Sequence, residues 1–325
     1  MKVVIAHRSG QPRVVELPEP KASKDFVSVR VSHTALLLPQ ELQQIEAGPK
    51  KLRKGDDGIP LGSSASGVVI EVGANVRSIK TGVRVAVWGH PYVYHASHLV
   101  VPEVLVVELP KKVNHEEGAF VGQGVEALSL LRAGKVQLGE VILVMGADMV
   151  GLLTAQAVRA AGGTPILIDE SDYRLGKAKT VGLANAFQPD DEQLMRLVDS
   201  LTDGNGADAA LLTRENESSA WKSAATLLRR EGSLVVGASI SGSVPIGLIH
   251  EKSIQVTHGG MSETASSLRR WSWGDNARCF CQLLAERKIQ ITPLITDRVP
   301  LDRAPIAYEK AARGRDAALG VVLTI

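Results

Sequence analysis

The sequence predicts an α/β protein in which a doubly wound parallel-sheet domain interrupts a β-rich domain. Three observations predict it. Five apolar residues, Val141–Met145, run into Gly146 and Gly151, then into a small-residue helix, Leu152–Ala161, and a second apolar run ending on Asp169. That is a strand–turn–helix–strand unit with glycines where the turn requires them. From about Glu117 onward, helical and strand patterns alternate, the order that makes a parallel sheet with crossover helices. Before that point the chain carries short β-type runs punctuated by glycine and proline, the texture of a small barrel or sandwich.

In the first stretch, strands are predicted around Val3–Ile5, Phe26–Val31, Gly67–Val72, Val83–Trp88, Leu99–Val101 and Leu105–Leu109, with turns at Gly73-Ala-Asn75 and Lys80-Thr-Gly82. In the second, helices are predicted over Glu117–Arg132, Met149–Ala161, Tyr173–Val181, Asp191–Leu201 and Ser218–Leu228. The strands between them are Val141–Met145, Thr164–Ile168, Ala186–Gln188, Asp208–Leu212, Ser233–Val236 and Ser253–Thr257. Pro165 cannot donate to a ladder, so it is placed at the entrance of its strand. A helix over Asn276–Arg287 closes the block, and Val299–Ile325 returns to strand and helix pieces that complete the first domain. The expected division is 1–120 with 288–325 for the β-rich domain and 121–287 for the parallel-sheet domain.

Composition narrows the class. A chain of 325 residues accommodates two ordinary domains, and 44% hydrophobic content supplies sizeable cores. Aromatics are only 4%, so those cores rest on Val, Leu, Ile and Ala. Lys and Arg number 37 against 35 Asp and Glu, with no basic stripe, which argues against nucleic acid as a partner. The start, Met1–His7, turns polar too soon for a signal peptide, and no apolar run approaches membrane-spanning length. The expectation is a soluble, cytoplasmic chain with no membrane partner. Cys279 and Cys281, alternate residues on a predicted helix, point about 200° apart and do not bridge. Two such cysteines build neither a disulfide framework nor a four-cysteine zinc lobe.

The strand–turn–helix unit carries the functional expectation. Asp169 falls roughly 20 residues past the first glycine, where a dinucleotide's ribose hydroxyls need an acceptor. An acid there favours NAD and repels the 2′-phosphate of NADP. The expected cofactor contacts are Gly146, Asp148, Met149, Val150 and Gly151 at the turn, Asp169 and Arg174 beyond the second strand, and Thr213, Gly237 and Ala238 at later strand ends. Asp148 breaks the pattern, standing at the middle glycine of G-x-G-x-x-G, where backbone must approach a pyrophosphate. A carboxylate in that position costs on the order of 1 kcal/mol in wet surroundings and more when enclosed. Either its side chain turns from the cofactor, or binding is weakened.

The whole chain resembles the medium-chain dehydrogenase/reductase family, in which a GroES-like β-rich domain is joined to a Rossmann dinucleotide-binding domain. The resemblance rests on Gly62, Gly67-Val-Val-Ile-Glu-Val-Gly73, Thr81-Gly-Val-Arg-Val-Ala-Val87, Arg174-Leu, Lys177-Ala, Gly182, and a tail running from Pro293-Leu-Ile-Thr through Pro300-Leu-Asp-Arg-Ala-Pro305 to Ala318-Leu-Gly-Val-Val-Leu323. The tail is most similar to the threonine- and polyol-dehydrogenase branch, near zinc-less members related to bacteriochlorophyllide dehydrogenase. The resemblance implies an NAD(P)-dependent oxidoreductase, a small-molecule substrate and a homodimer, with Ser253–Thr257 near the pairing edge.

The departures are as informative. Leu37 stands where zinc members carry a cysteine ligand, Gly62-Ser63-Ser64 where they carry Gly-His-Glu, and Gly122 where the polyol branch often has a glutamate. Leucine, serine and glycine do not hold zinc, so no metal is expected. Of the zinc-less branch's Ser-x-Gly-Thr-Glu, aligned on Leu37–Glu41, only Glu41 survives. The candidate catalytic residues are His33, Glu41, Ser63, Ser64 and His95, hydroxyls and titratable groups that replace a Lewis acid by hydrogen bonding and proton transfer. His90, His95 and His98 tempt a metal reading, but in a strand His95 and His98 alternate to opposite faces. Arg269-Arg-Trp-Ser-Trp273 reads as a packing cluster at a helix start or as an element at a cleft edge. Two other readings stay open: a non-catalytic homologue acting as a binding or scaffold subunit, and a zinc-less reductase of activated double bonds.

Overall fold

Period-2 alternation of valines builds the first sheets. In the computed structural model, which describes residues 1–48, 52, 57–213, 218–237, 243–259, 271–314 and 318–325, β1 (Lys2–His7) and β2 (Gln11–Glu16) form a hairpin. They are followed by β3 (Phe26–Ala35), α1 (Leu38–Ala47), β4 (Gly58–Pro60), β5 (Ser64–Val72), β6 (Arg84–Trp88), β7 (His98–Pro102) and β8 (Val106–Glu108). Two helices come next, α2 (His115–Gly118) and α3 (Val121–Ala133). The single helix expected over Glu117–Arg132 is therefore two. A capping box between Asn114 and Glu117 starts α2, which satisfies the orphan N–H groups of a very short helix. The unexpected α1 follows from Leu38, Leu42 and Ile45, which fall at helical spacing and are buried.

Alternation of helix and strand then holds as expected: β9 (Val141–Met145), α4 (Met149–Ala160), β10 (Thr164–Ile168), α5 (Asp172–Thr180), β11 (Ala186–Phe187), α6 (Glu192–Thr202), β12 (Ala207–Leu212), α7 (Ser218–Leu227), β13 (Leu228–Val236), α8 (Ile246–Glu251) and β14 (Gln255–His258). The chain closes with α9 (Trp273–Ala285), β15 (Ile295–Pro300), α10 (Ala304–Arg313) and β16 (Gly320–Thr324).

Two units result. The first contains Met1–Gln123, Trp273–Ala285 and Ile295–Ile325, and the second Gly124–Ser272 and Glu286–Leu294. Unit 1 holds a three-stranded sheet, β2-β1-β4, and a seven-stranded sheet, β15-β16-β3-β5-β6-β8, with β7 paired to β3. The return to the β-rich unit comes earlier than 288. Phe280, Cys281 and Leu284 of α9 are buried there, whereas Glu286–Leu294 belongs to unit 2. Gln290 fastens that short segment, exchanging two hydrogen bonds with Gln156 of α4 (3.1 and 2.8 Å).

Unit 2 is a six-stranded parallel sheet in the order β11-β10-β9-β12-β13-β14. The order reverses between β9 and β12, and ligands of such sheets bind outside the strand carboxyl ends at that reversal. β9 is buried along its whole length, as expected of a strand covered on both faces. β14 is the edge and is exposed at every residue. Among the described residues, no helix is long and apolar enough to cross a membrane.

Candidate active site

Three of the five expected catalytic residues, Glu41, Ser64 and His95, are buried rather than presented to a cleft. Glu41 lies in the first turn of α1 and is only 2% exposed; His95 is wholly buried. They form a closed network. The Thr34 hydroxyl donates its one proton to the Ser64 carbonyl at 2.7 Å, so at 2.7 Å from His95 Nδ1 it must accept from an Nδ1–H. His95 Nε2 sits 3.2 Å from both oxygens of Glu41. Glu41 also accepts from the Leu37 N–H at 2.9 Å and from the Tyr308 hydroxyl at 2.6 Å. Burial alone would raise the Glu41 pKa, but His95, Tyr308 and the Leu37 amide outweigh it and hold the carboxyl below its usual range. An ionised Glu41 then faces the Nε2 edge of the His95 imidazole. Burial and the neighbouring carboxylate push Tyr308 well above the usual phenol range.

The expectation that His95 lines a cleft is thus corrected: it is a core residue, and Glu41 with it. Gly62 belongs to the same cluster. Its φ is 104°, and a Cβ there would come within 2.7 Å of the His95 ring, so this turn accepts only glycine. Ser64 is also corrected. Its hydroxyl is buried, donating to Ala119 O at 2.6 Å and accepting from Gly122 N–H at 2.9 Å. Ser63 is partly exposed. His33, half-buried on β3, receives or gives a hydrogen bond at Ser32 Oγ (2.9 Å) and stacks on His115, with ring centroids 6.4 Å apart. Burial lowers its pKa; Glu116 opposes that and Arg298 reinforces it.

The positions aligned with zinc ligands offer no ligand set. Leu37 has no side-chain donor atom, Ser64 is committed to backbone, and a Cβ at Gly122 would stand 2.8 Å from Ser64 Oγ. Among the described residues, no three His, Cys, Asp or Glu side chains converge on a point that could hold a metal. In the histidine run, His98 turns to Ser97 and to Glu19 (3.7 Å) while His95 points inward. Of the aromatic-cationic cluster, Arg269 and Arg270 lie outside the described residues. Trp271 carries the Arg132 guanidinium 3.7 Å above its ring.

In unit 2 the expected cofactor residues do gather, at the carboxyl ends of β9, β10, β12 and β13. Gly146 has φ 109°, and a Cβ on Gly151 would fall inside the Gly146 carbonyl, so the turn closes on two glycines. Met149 and Val150 are buried in the first turn of α4. Thr213 donates to Met145 O at 3.1 Å, tying β12 to the turn. Gly237 follows β13, where a Cβ would meet Leu130 and the Leu212 carbonyl. Ala238 lies outside the described residues.

Two carboxylates depart from expectation here. Asp148 is the N-cap of α4: its Oδ1 accepts from Gly151 N–H at 2.9 Å, occupying a donor that a phosphate oxygen would otherwise use. Asp169 is 4% exposed and turned inward. It accepts from Ala147 N–H (2.7 Å), Ser171 N–H (2.8 Å) and both Nε and an Nη of Arg174 (3.0 and 2.7 Å). The expected ribose acceptor is therefore engaged by the protein itself.

Sequence reasoning missed Thr34 and Tyr308, for which no local signal exists. It also missed Glu126 on α3, whose signal was present. Glu126 is the only charge between Ala119 and Leu131, and burial with the nearby Asp148 charge pushes its pKa up to about 8.

Comparison with known proteins agrees with this architecture. The family described as zinc-binding dehydrogenase matches residues 150–272. Sorbitol dehydrogenase of Mus musculus is 26% identical over 96% of this chain and 92% of its own length. Sorbitol dehydrogenase 1 of Saccharomyces cerevisiae is 28% identical over 77% of each. The solved alcohol dehydrogenase of Thermus sp. ATN1 superposes with a TM-score of 0.84 at 21% identity, over 100% of this chain and 99% of that one, a likeness of fold. With its inserted parallel sheet and glycine turn, the chain is thus similar to zinc-binding dehydrogenases of the medium-chain dehydrogenase/reductase type, in sequence over residues 150–272 and in fold over its whole length.

Proposed function

We propose that this protein is an NAD(H)-dependent oxidoreductase that moves a hydride to or from a carbinol or carbonyl carbon of a polar metabolite, and that it does so without zinc. Two observations carry the reading together: unit 2 has a glycine-only turn at the reversal of its parallel sheet, and unit 1 has Leu37, Ser63 and Gly122 at the positions where zinc relatives place ligands. The residues present fit a dinucleotide at the turn formed by Gly146, Gly151 and the start of α4. Leucine, serine and glycine at the ligand positions do not fit zinc.

A nicotinamide supplies the hydride chemistry when bound. The protein's own part is binding and proton handling. In unit 1, His33 is the partly accessible imidazole, kept neutral at pH 7 by burial, and Ser63 the partly accessible hydroxyl; these are the groups suited to carry a proton to and from the substrate oxygen. Preference for NAD(H) over NADP(H) is supported on different grounds from the sequence expectation. The Arg174 guanidinium is bound to Asp169 and is not offered to a 2′-phosphate. The exposed edge of β14 supports pairing of two copies as a homodimer, which light scattering tests: a monomer at micromolar concentration contradicts it.

The test of the main reading is turnover by chelator-treated protein. Polyols with NAD, and ketoses or aldehydes with NADH, are screened by the absorbance of reduced nicotinamide alongside elemental analysis. The expected result is chelator-resistant turnover without stoichiometric zinc. Bound zinc whose removal abolishes turnover contradicts zinc independence, and turnover only with activated double bonds replaces the carbonyl assignment.

A further inference from the structure

Glu126 is a titratable residue that meets no counter-charge among the described residues. It is partly buried on α3, and among the described residues it has no hydrogen-bond or cationic partner. The helix places it. Leu130, one turn further on, lies against two glycines that follow parallel strands: a Cβ at Gly237 would come within 2.6 Å of Leu130 Cδ2, and one at Gly259 within 2.8 Å. Residues four apart share a helix face, so Glu126 stands on the face that looks onto the carboxyl ends of β13 and β14. The charged group acting on it from the adjoining turn is Asp148, at the carboxyl end of β9. The strand ends themselves present glycine, and Arg132 on the same helix is engaged with the Trp271 ring.

We propose that Glu126 is a cofactor-binding residue of this turn, meeting the anionic oxygens of a bound dinucleotide as a neutral acid that donates a hydrogen bond. The proposal rests on the dinucleotide reading above and adds to it a residue and a proton. One carboxylate at this turn, Asp148, is already committed as a helix cap, so a second anion and a phosphate could not be accommodated together. Burial and the Asp148 charge leave Glu126 protonated at pH 7, with a pKa of about 8. An arriving diphosphate adds negative charge and holds that proton more firmly. Below about pH 8 the complex forms with no proton exchange at Glu126. Above it, each dinucleotide bound takes up one proton from solution, and affinity falls toward tenfold per pH unit.

Calorimetric titration with NADH from about pH 6.5 to about pH 9.5 tests this, using wild type and Glu126→Gln. Glutamine keeps the size and a donor but does not titrate. The expected result is a wild-type Kd that is flat at low pH and weakens by about tenfold per unit above pH 8, with proton uptake seen as a buffer-dependent heat. Glu126→Gln is expected to bind within about threefold of wild type at pH 7 and to stay flat throughout. Thermal melts of both proteins show whether the variant is folded. A measurable wild-type affinity that does not change across the range, or the same fall in Glu126→Gln, overturns the proposal and leaves the dinucleotide reading standing. Failure of wild type to bind NADH or NADPH at any pH overturns both.

Discussion

Glu41 in the first unit and Glu126 in the second are both glutamates withdrawn from water, and they titrate in opposite directions. Glu41 is held below the usual carboxylate range, and Glu126 is pushed up to about 8. Desolvation is the first contribution at both sites and raises both. What differs is the company. Glu41 receives hydrogen bonds from an imidazole, a phenol and a backbone amide, so its charge is fully answered from within the protein. Glu126 has an aspartate for a neighbour and, among the described residues, no donor. Burial of a carboxylate thus does not by itself say whether the residue is structural or waiting for a ligand. Its hydrogen-bond inventory does.

The largest way to break this contrast is to strand Glu41. His95→Ala removes the partner of a buried carboxylate and is expected to cost about 3–5 kcal/mol in urea unfolding. Replacing Glu41 and His95 together by apolar residues of similar volume should recover most of that loss. A double variant no more stable than His95→Ala would show that the pair is not the cause. The sign with pH follows from the depressed folded pKa of Glu41. Its contribution is present above the unfolded carboxylate pKa of about 4.3 and is lost as pH falls through the lower folded value. Glu126 runs the other way. Its folded pKa lies above the unfolded one, so it contributes most below pH of about 4.3 and progressively less up to about 8. Glu126→Gln should therefore gain on wild type through that window and match it least at its upper end.

Smaller effects sharpen the picture. Gly62→Ala forces a side chain into φ 104° and against the His95 ring, an expected loss of about 1–3 kcal/mol measured by urea midpoint. An unchanged midpoint would mean that the turn is free to move away from His95. Asp148→Gly has two expected outcomes of different size. It removes a carboxylate and frees the Gly151 N–H, tightening NADH by about 1–2 kcal/mol, roughly 5- to 30-fold in Kd. It also removes an N-cap, which glycine replaces at a cost of only a few tenths of a kcal/mol. If wild type binds and the variant binds no better, the Asp148 carboxylate does not compete with the cofactor.

The framework of unit 2 was legible because it is local. Val141–Met145, the two glycines and the run to Asp169 lie within one short stretch, and their spacing determines strand, turn and helix. What that stretch could not reveal is where the Asp169 carboxylate points. An acid ending a strand can accept from a ribose or from its own neighbours, and Ala147, Ser171 and Arg174 settle the matter in three dimensions. The unit 1 network was illegible for the same kind of reason. Glu41 and Tyr308 are 267 positions apart, and nothing near either residue announces the other. His95 was legible as a titratable candidate for lining a cleft, but not as a residue sealed in the core against Gly62. Glu126 could have been found, because a lone charge in an apolar helix must either be paired or be used.

The contrast between the two glutamates is most directly tested by following their isotope-labelled carboxyl carbons by nuclear magnetic resonance, with Glu126→Gln and Glu41→Gln used to assign the two signals. Wild type is predicted to show one carboxyl titrating near pH 8 that vanishes in Glu126→Gln, and another still ionised below the ordinary carboxylate range that vanishes in Glu41→Gln. Titration of Glu126 in the ordinary range of about 4 to 5 would contradict the account.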